Sequence, residues 1–259
     1  MFRDLTSVVR RNASLPLAHA LVRPQLGDRW IVSYPRSGST WLRTILAALI
    51  YGEGGADPDV FNRVIPGVSG RRLPLVWLAP EPRLLHSHTT FRNGLSRVVY
   101  LVRDGRDAIT SFYHYSTTRR GQPMDFAAWY QLYSRRAYGP RWHEHVYGWL
   151  TAGRDRLGDQ LLVVNFERLR SDPLSTVRQV ASFLEVSRDD MAIERALDMA
   201  GLDRARTREA RALGRPLTDN ESFYRGGRIG QWEGTFPPST YMDFMNRARQ
   251  AMTLAGYAM

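Results

Sequence analysis

The chain has 259 residues, 43% hydrophobic and 24% charged, the size and composition of a soluble globular protein with one well-buried domain. It has no cysteine, which excludes disulfides and thiolate metal sites, and no apolar run of about 18 residues, the length a transmembrane helix needs. The net charge is +11 and all 36 basic residues are arginine, so any cation at a catalytic site is a planar guanidinium that keeps its proton. Such a surface suits an anionic ligand: a nucleic acid, an anionic lipid or a nucleotide with several phosphates.

Residues 1–28 carry scattered arginines and no continuous apolar core, which argues against a cleaved secretory signal. They read as an N-terminal extension or a helix packed on the domain. A basic amphipathic segment touching a membrane surface is the other reading, and the cytoplasm is the default location. Strand character follows at Trp30–Tyr34, then a helical period over Thr40–Tyr51. Gly52–Pro82 is rich in Gly and Pro and reads as a substrate loop or lid. Further strands are predicted at Arg83–His86, Val98–Val102 and Leu161–Phe166. Helices are predicted at Asp104–Ser116, Met124–Arg136, Trp142–Arg154 and Pro173–Leu184. The charge run Arg204–Arg211 reads as the solvated face of a helix, and Arg215–Pro238 as a Gly-rich irregular stretch. Strands separated by helices predict an α/β fold in a single domain, residues 1–259. Its central parallel sheet would carry helices on both faces and collect ligands at the carboxyl ends of its strands.

Four stretches carry chemistry. "YPRSGSTW", Tyr34–Trp41, joins the first strand to the first helix, where unpaired amides and the helix dipole favour an anion. Arg36 adds charge, Ser37, Ser39 and Thr40 add hydroxyls, and Gly38 permits close approach; the competing reading is serines that merely cap the helix. In "VVYLVRDGRDAITSFYHY", Arg103 ends a strand and Ser111 follows on the near face of the next helix, so both could reach one phosphate. In "FYRGGRIGQWEGTF", Arg225 and Arg228 flank Gly226 and Gly227, a composition that lets amides and guanidinium groups wrap an anion. In "PRLLHSHTTF", His86 and His88 point the same way at a strand end, and neutral histidine is the natural base for a hydroxyl proton near pH 7. His143 and His145 sit among aromatics on a helix and read as structural.

Taken in order, these motifs resemble those of the 3′-phosphoadenosine 5′-phosphosulfate (PAPS)-dependent sulfotransferases of the cytosolic type, a family that includes bacterial members acting on natural products. "YPRSGSTW" resembles the family's 5′-phosphosulfate loop, Y-P-K-[SA]-G-[TS]-[TN]-W, and "RDGRDAITS" its 3′-phosphate motif. "RGGRIGQW" is similar to R-K-G-x-x-G-D-W, "PRLLHSH" to P-R-x-x-K-[TS]-H, and "VVNFERLRSDP" to the segment near the adenine, with Phe166 in place of a frequent Tyr. The resemblance spans Trp30 to Phe236 and implies a P-loop nucleotide-kinase-like sulfotransferase fold.

It also implies PAPS as sulfuryl donor, leaving adenosine 3′,5′-bisphosphate (PAP), with no metal. The donor would be held by Arg36, Ser37, Gly38, Ser39, Thr40, Arg103, Ser111, Arg225, Gly226 and Gly227. Trp41 and Phe223 would lie against the adenine, near Phe166. His88 would be the general base and Arg36 would stabilise the bridging oxygen of the departing phosphate. The partner implied is a small alcohol or phenol, lipophilic or aromatic, with Trp77, Phe91, Tyr113 and Tyr115 as an aromatic wall, and no nucleic acid. Departures from the family pattern are Arg36 and His86 in place of lysines, Gly226 where a second cation often lies, with Arg228 near enough to compensate, and Gln231 for an aspartate. A P-loop kinase and a nucleic-acid-binding module are the competing functions. The first lacks its Walker lysine, and the second expects a clustered basic stripe. The oligomeric state is left open.

Overall fold

The computed structural model describes residues 22–68, 73–118, 123–218 and 221–258, so the readings made for residues 1–21 lie outside the described residues. The chain runs β1 (Arg29–Ser33), α1 (Ser39–Tyr51), α2 (Pro58–Val64), α3 (Leu73–Trp77), β2 (Leu84–Ser87) and β3 (Val98–Val102). It continues through α4 (Gly105–Thr117), α5 (Phe126–Ser134), α6 (Trp142–Gly148), α7 (Arg154–Leu157) and β4 (Leu161–Asn165). The last helices are α8 (Phe166–Ser171), α9 (Pro173–Phe183), α10 (Asp190–Met199), α11 (Leu202–Leu213) and α12 (Pro238–Leu254).

The four strands form one parallel sheet in the order β2-β1-β3-β4. Trp30 of β1 pairs with Leu85 on one side and Val98 on the other, and Val98 pairs onward with Leu161. Along β3, Val98, Tyr100 and Val102 enter one core, while Val99 and Leu101 enter the other. A strand buried on both faces needs apolar residues at every position, which is why "VVYLV" shows no alternation. On one face lie α1, α9 and α10, through Leu42, Leu46, Val177 and Ile193. On the other lie α4, α5, α6 and α12, whose core includes the buried Trp129, Trp142 and Phe244. The chain leaves β1 toward β2 on one side of the sheet, and leaves β3 toward β4 on the other. Their carboxyl ends therefore open a crevice between them.

The α/β sheet with helices on both faces is the fold the sequence predicts; several boundaries differ. Gly52–Pro82 is not wholly irregular, because α2 and α3 lie inside it. Asp57 caps α2, its carboxylate accepting from the Asp59 amide at 2.8 Å, and Pro58 follows at the first helical position. That start signal outweighs the surrounding Gly and Pro content. Beyond α2, Pro66–Val68 adds to the sheet edge: the Val68 amide donates to the His86 carbonyl at 2.7 Å and the His86 amide to Pro66 at 2.9 Å. β2 begins at Leu84 and runs on to Ser87, and Phe166 opens α8 rather than ending β4. The helix predicted for Trp142–Arg154 continues to Leu157 through a π-helical turn at Trp149–Gly153.

Candidate active site

The turn after β1 has the backbone of an anion cradle. Arg36 has φ 70° and Gly38 φ 94°, two left-handed residues within one tight turn, the alternation that points successive amides at a common centre. No side chain caps α1, which excludes serines serving only to cap the helix and leaves its N-terminal dipole facing the crevice. Ser37 is buried, its hydroxyl without a partner among the described residues. Gly38 is fixed by packing: a Cβ there would lie 2.4 Å from Phe166 Cδ2.

Arg36 leans across the crevice. Its Nε donates to Ser111 Oγ at 3.2 Å and its Nη2 to the Phe223 carbonyl at 3.1 Å. Its guanidinium stacks on Phe223 and Tyr115, 4.3 and 4.9 Å from their ring centroids. Three separate sequence motifs thus meet at one cation.

Arg103, at the exit of β3, is buried and donates to the Arg36 carbonyl at 3.3 Å and the Arg228 carbonyl at 2.8 Å. Its face lies 4.6 Å over Phe166, and its Nε has no partner among the described residues. Arg225 converges on the same place with a buried Nη1 that has no partner among the described residues. Desolvation lowers the pKa of both guanidinium groups, and for Arg225 the charges of Arg103 and Arg228 add to the effect. A buried and a half-buried guanidinium group, each with a donor that has no partner among the described residues, fit a multiply charged oxyanion.

Two buried carboxylates hold the Gly-rich loop in place. Asp107 accepts from the Gly230 amide at 2.9 Å and the Trp232 amide at 3.1 Å, and lies 3.6 Å from Arg103. Glu209 accepts from the Phe223 amide at 3.0 Å and the Ser222 hydroxyl at 2.7 Å. The run Arg204–Arg211 is helical as expected, but Glu209 and Arg206 turn inward from it, Arg206 donating to the Tyr224 carbonyl at 2.9 Å.

His88 follows β2 and stands beside β1. Its Nδ1 lies 2.7 Å from the Ser33 carbonyl oxygen. A carbonyl only accepts, so Nδ1 carries the proton and Nε2 keeps its lone pair. Desolvation lowers the His88 pKa to about 4, Arg43 and Arg36 reinforcing the shift and the Ser33 hydrogen bond opposing it. The ring is therefore a neutral base near pH 7. His86 packs edge-on against it at 4.5 Å, so the two histidines do point the same way. His145 is structural as read: it is buried, stacked on Tyr100 and bonded to the Tyr100 hydroxyl at 3.0 Å.

Two cavities meet at His88. The first, of about 380 Å³, is lined by the donor candidates Arg36, Gly38, Ser39, Thr40, Trp41, Arg103, Ser111, Phe166, Phe223, Arg225, Gly226 and Gly227. The sequence reading missed Arg170, which sits over Trp41 at 5.5 Å, and the Ala200–Leu202 turn, which forms part of the wall. The second, of about 500 Å³, is lined by Phe61, Asn62, Gly67, Val68, His86, Ala205, Arg208 and Leu213 among others. His88, Thr40, Ala205, Phe223 and Tyr224 line both.

Phe223, expected with Trp41 against the adenine, lines the first cavity with Trp41, and its ring also packs on Arg36 at the junction of the cavities. The Arg228 side chain is exposed and lines neither cavity, while its charge bears on Arg225 and its carbonyl accepts from Arg103. The four residues expected to form an aromatic wall do not line the second cavity, whose aromatic residues are Phe61, Phe223 and Tyr224. Trp77 is 62% exposed outside it, Phe91 packs on Trp149, Tyr113 on Phe126, and Tyr115 lines the first cavity.

The fold and this crevice define an enzyme built around a nucleotide-like donor with at least two anionic ends. The comparisons agree. The family model described as a sulfotransferase domain matches residues 26–256, and the chain belongs to that family, whose members are PAPS-dependent sulfotransferases. It is 27% identical to mouse Sulfotransferase 1B1 over 237 residues, covering 81% of this chain and 77% of the relative. It is 29% identical to human Sulfotransferase 4A1 over 250 residues, covering 86% and 78%. In fold it matches mouse sulfotransferase SULT7A1 complexed with PAP, at a TM-score of 0.69 and 20% identity over 93% of this chain and 87% of the other. It also matches a retinol dehydratase in complex with androsterone and inactive cofactor PAP, at a TM-score of 0.66 and 17% identity over 97% and 94%. No helix among the described residues is long and apolar enough to cross a membrane.

Proposed function

We propose that the protein moves a sulfuryl group from PAPS to a hydroxyl of a small acceptor, with His88 as general base, PAPS in the first cavity and the acceptor in the second. The observation that carries this reading is the position of His88, anchored through Nδ1 and lining both cavities. The first cavity fits the donor by its own chemistry: donors on Arg103 and Arg225 without a partner among the described residues, and an uncapped helix N-terminus; Ser37, fully buried, does not line it.

PAPS, when bound, supplies the sulfuryl group and a phosphate leaving group. The turn Arg36–Thr40 would hold its phosphosulfate, while Arg103, Arg225 and the Gly226–Gly227 amides would hold the 3′-phosphate. Trp41, with the Ala200–Leu202 turn, would take the adenine. His88 removes the acceptor's proton at Nε2, and Ser33 spreads the charge that develops on the ring through Nδ1. Arg36, delivering two donors in a fixed plane, stabilises charge on the oxygen released from sulfur. Fixed donors and excluded water contribute through positioning, as in loose phosphoryl transfer. Like its cytosolic relatives, the protein would work in the cytoplasm.

The test is transfer of label from sulfur-labelled PAPS to a panel of phenols, sterols and hydroxy acids, with ATP as the control donor. Label on a hydroxyl from PAPS alone is the expected result. Transfer of the γ-phosphoryl group from ATP, with none from PAPS, overturns the reading.

A further inference from the structure

We propose that the acceptor carries, besides its hydroxyl, an anionic oxyacid group that Arg208 receives; the inference rests on the sulfotransferase reading and names the substrate class of the second cavity. Arg208 projects from α11 into the cavity wall and is half-buried. One of its nitrogens donates to the Met199 carbonyl at 2.9 Å, and no carboxylate pairs with it among the described residues. Asp57, whose charge favours the Arg208 cation, caps α2, and Glu209, which also lines the cavity, holds the Phe223 amide and the Ser222 hydroxyl. Arg204, whose charge also bears on Arg208, is itself paired with Asp198 at 2.8 Å.

Arg43 adds a second positive charge to the same wall, but its donors serve the Ile65 carbonyl and the Asn62 side chain. Arg43 raises the local potential and Arg208 keeps the open fork. Desolvation lowers the pKa of Arg208, with Arg204 adding to the shift and Tyr224 and Asp57 opposing it, so an oxyanion entering the cavity would relieve the cost of burying the cation. Phe61, Val68 and Leu213 supply apolar contact to the body of the molecule. A neutral phenol would fill this cavity and leave Arg208 uncompensated. A hydroxylated acid sets its hydroxyl at His88 and its oxyanion at the guanidinium, in the two-oxygen geometry that arginine favours. The lipophilic or aromatic acceptor expected from the sequence would then carry one oxyanion besides its hydroxyl.

The experiment is a pair of probes differing only in charge, 3-(4-hydroxyphenyl)propionate and its methyl ester, titrated calorimetrically into the protein with and without PAP. Chain-length homologues of both are included, and 4-hydroxybenzenesulfonate and 4-hydroxyphenyl phosphate separate carboxylate from sulfonate and phosphate recognition. The expected result is that at least one acid binds on the order of tenfold to a hundredfold more tightly than its uncharged partner, the range of a charge-assisted hydrogen bond. R208A should bring that ratio to within twofold of one, and R208K should restore part of it. Ratios near one throughout, or a preference that survives R208A, overturn the inference. PAP binding, read on the same samples, judges the donor site separately: its loss would defeat the sulfotransferase reading, while the acid-to-ester ratio would still decide the role of Arg208.

Discussion

His88 Nδ1 is anchored to the Ser33 carbonyl at 2.7 Å, so the end of β1 fixes the tautomer of a residue that follows β2. Replacing His88 with Ala or Asn removes the lone pair at Nε2. Turnover with labelled PAPS should fall by about 10²–10⁴-fold, the span expected for a lost general base, while PAP affinity changes by less than threefold or so. Near-native turnover in either variant would reject His88 as the base.

The same residue sets a pH dependence. Only the neutral ring can accept a proton at Nε2, and desolvation, reinforced by Arg43 and Arg36, lowers its pKa to about 4. Activity should therefore rise with pH through that value and be flat through neutrality. The check is kcat/KM for PAPS between pH 4 and 8, with circular dichroism following the fold. An acidic limb at the ordinary histidine value of 6.5 would contradict it.

Arg103 is a buried guanidinium gripping two carbonyls, with Asp107 behind it. R103A should weaken PAP by on the order of tenfold to a hundredfold, as calorimetry would read. It should also lower Tm, because the buried Asp107 charge loses its partner. Adding D107N should restore neither the Tm nor the PAP affinity, because an amide side chain cannot accept from both the Gly230 and the Trp232 amides. Unchanged PAP binding in R103A would remove Arg103 from the donor site.

Gly38 combines φ 94° with a would-be Cβ at 2.4 Å from the Phe166 ring. G38A should cost about 1–3 kcal/mol of stability and reduce PAP affinity, since the loop must shift. G38A with F166L should regain part of the stability, because the contact is to a side chain. Native Tm and native affinity in G38A would show the turn to be unconstrained.

Arg36 holds Ser111 Oγ and the Phe223 carbonyl through different nitrogens while stacked on two rings. A lysine has no planar fork to do this. R36K should lower kcat by about tenfold or more and alter KM for PAPS less, because the lost contact is made as the leaving oxygen gains charge. A variant as fast as the native enzyme would mean that the guanidinium plane is immaterial.

The parts of this protein legible in one dimension are those fixed by neighbouring residues. The apolar runs became strands, and the glycine and hydroxyls after β1 became a tight turn before an uncapped helix. The spacing of His86 and His88 placed both rings on one side. Short-range geometry suffices for these, since φ/ψ preference, strand alternation and helix dipoles act over a few residues. Helices α2 and α3 were hidden because Gly and Pro content masked a valid capping signal at Asp57.

What only the tertiary structure decided are the contacts between distant segments. Asp107 meets Gly230 across 123 residues, and Arg36 meets the Phe223 carbonyl across 187. Phe166 lies under both Gly38 and Arg103, though its own motif says nothing of either. Trp77, Phe91 and Tyr113 show the converse, since aromatic character alone does not say which side of a packed wall a ring will fill. The lone proton-bearing nitrogen of His88, the sharing of its ring by two cavities, and an Arg208 that pairs with no carboxylate among the described residues follow from how helices pack around the sheet. Long-range packing is settled by the fit of the whole interior, and no local period encodes it.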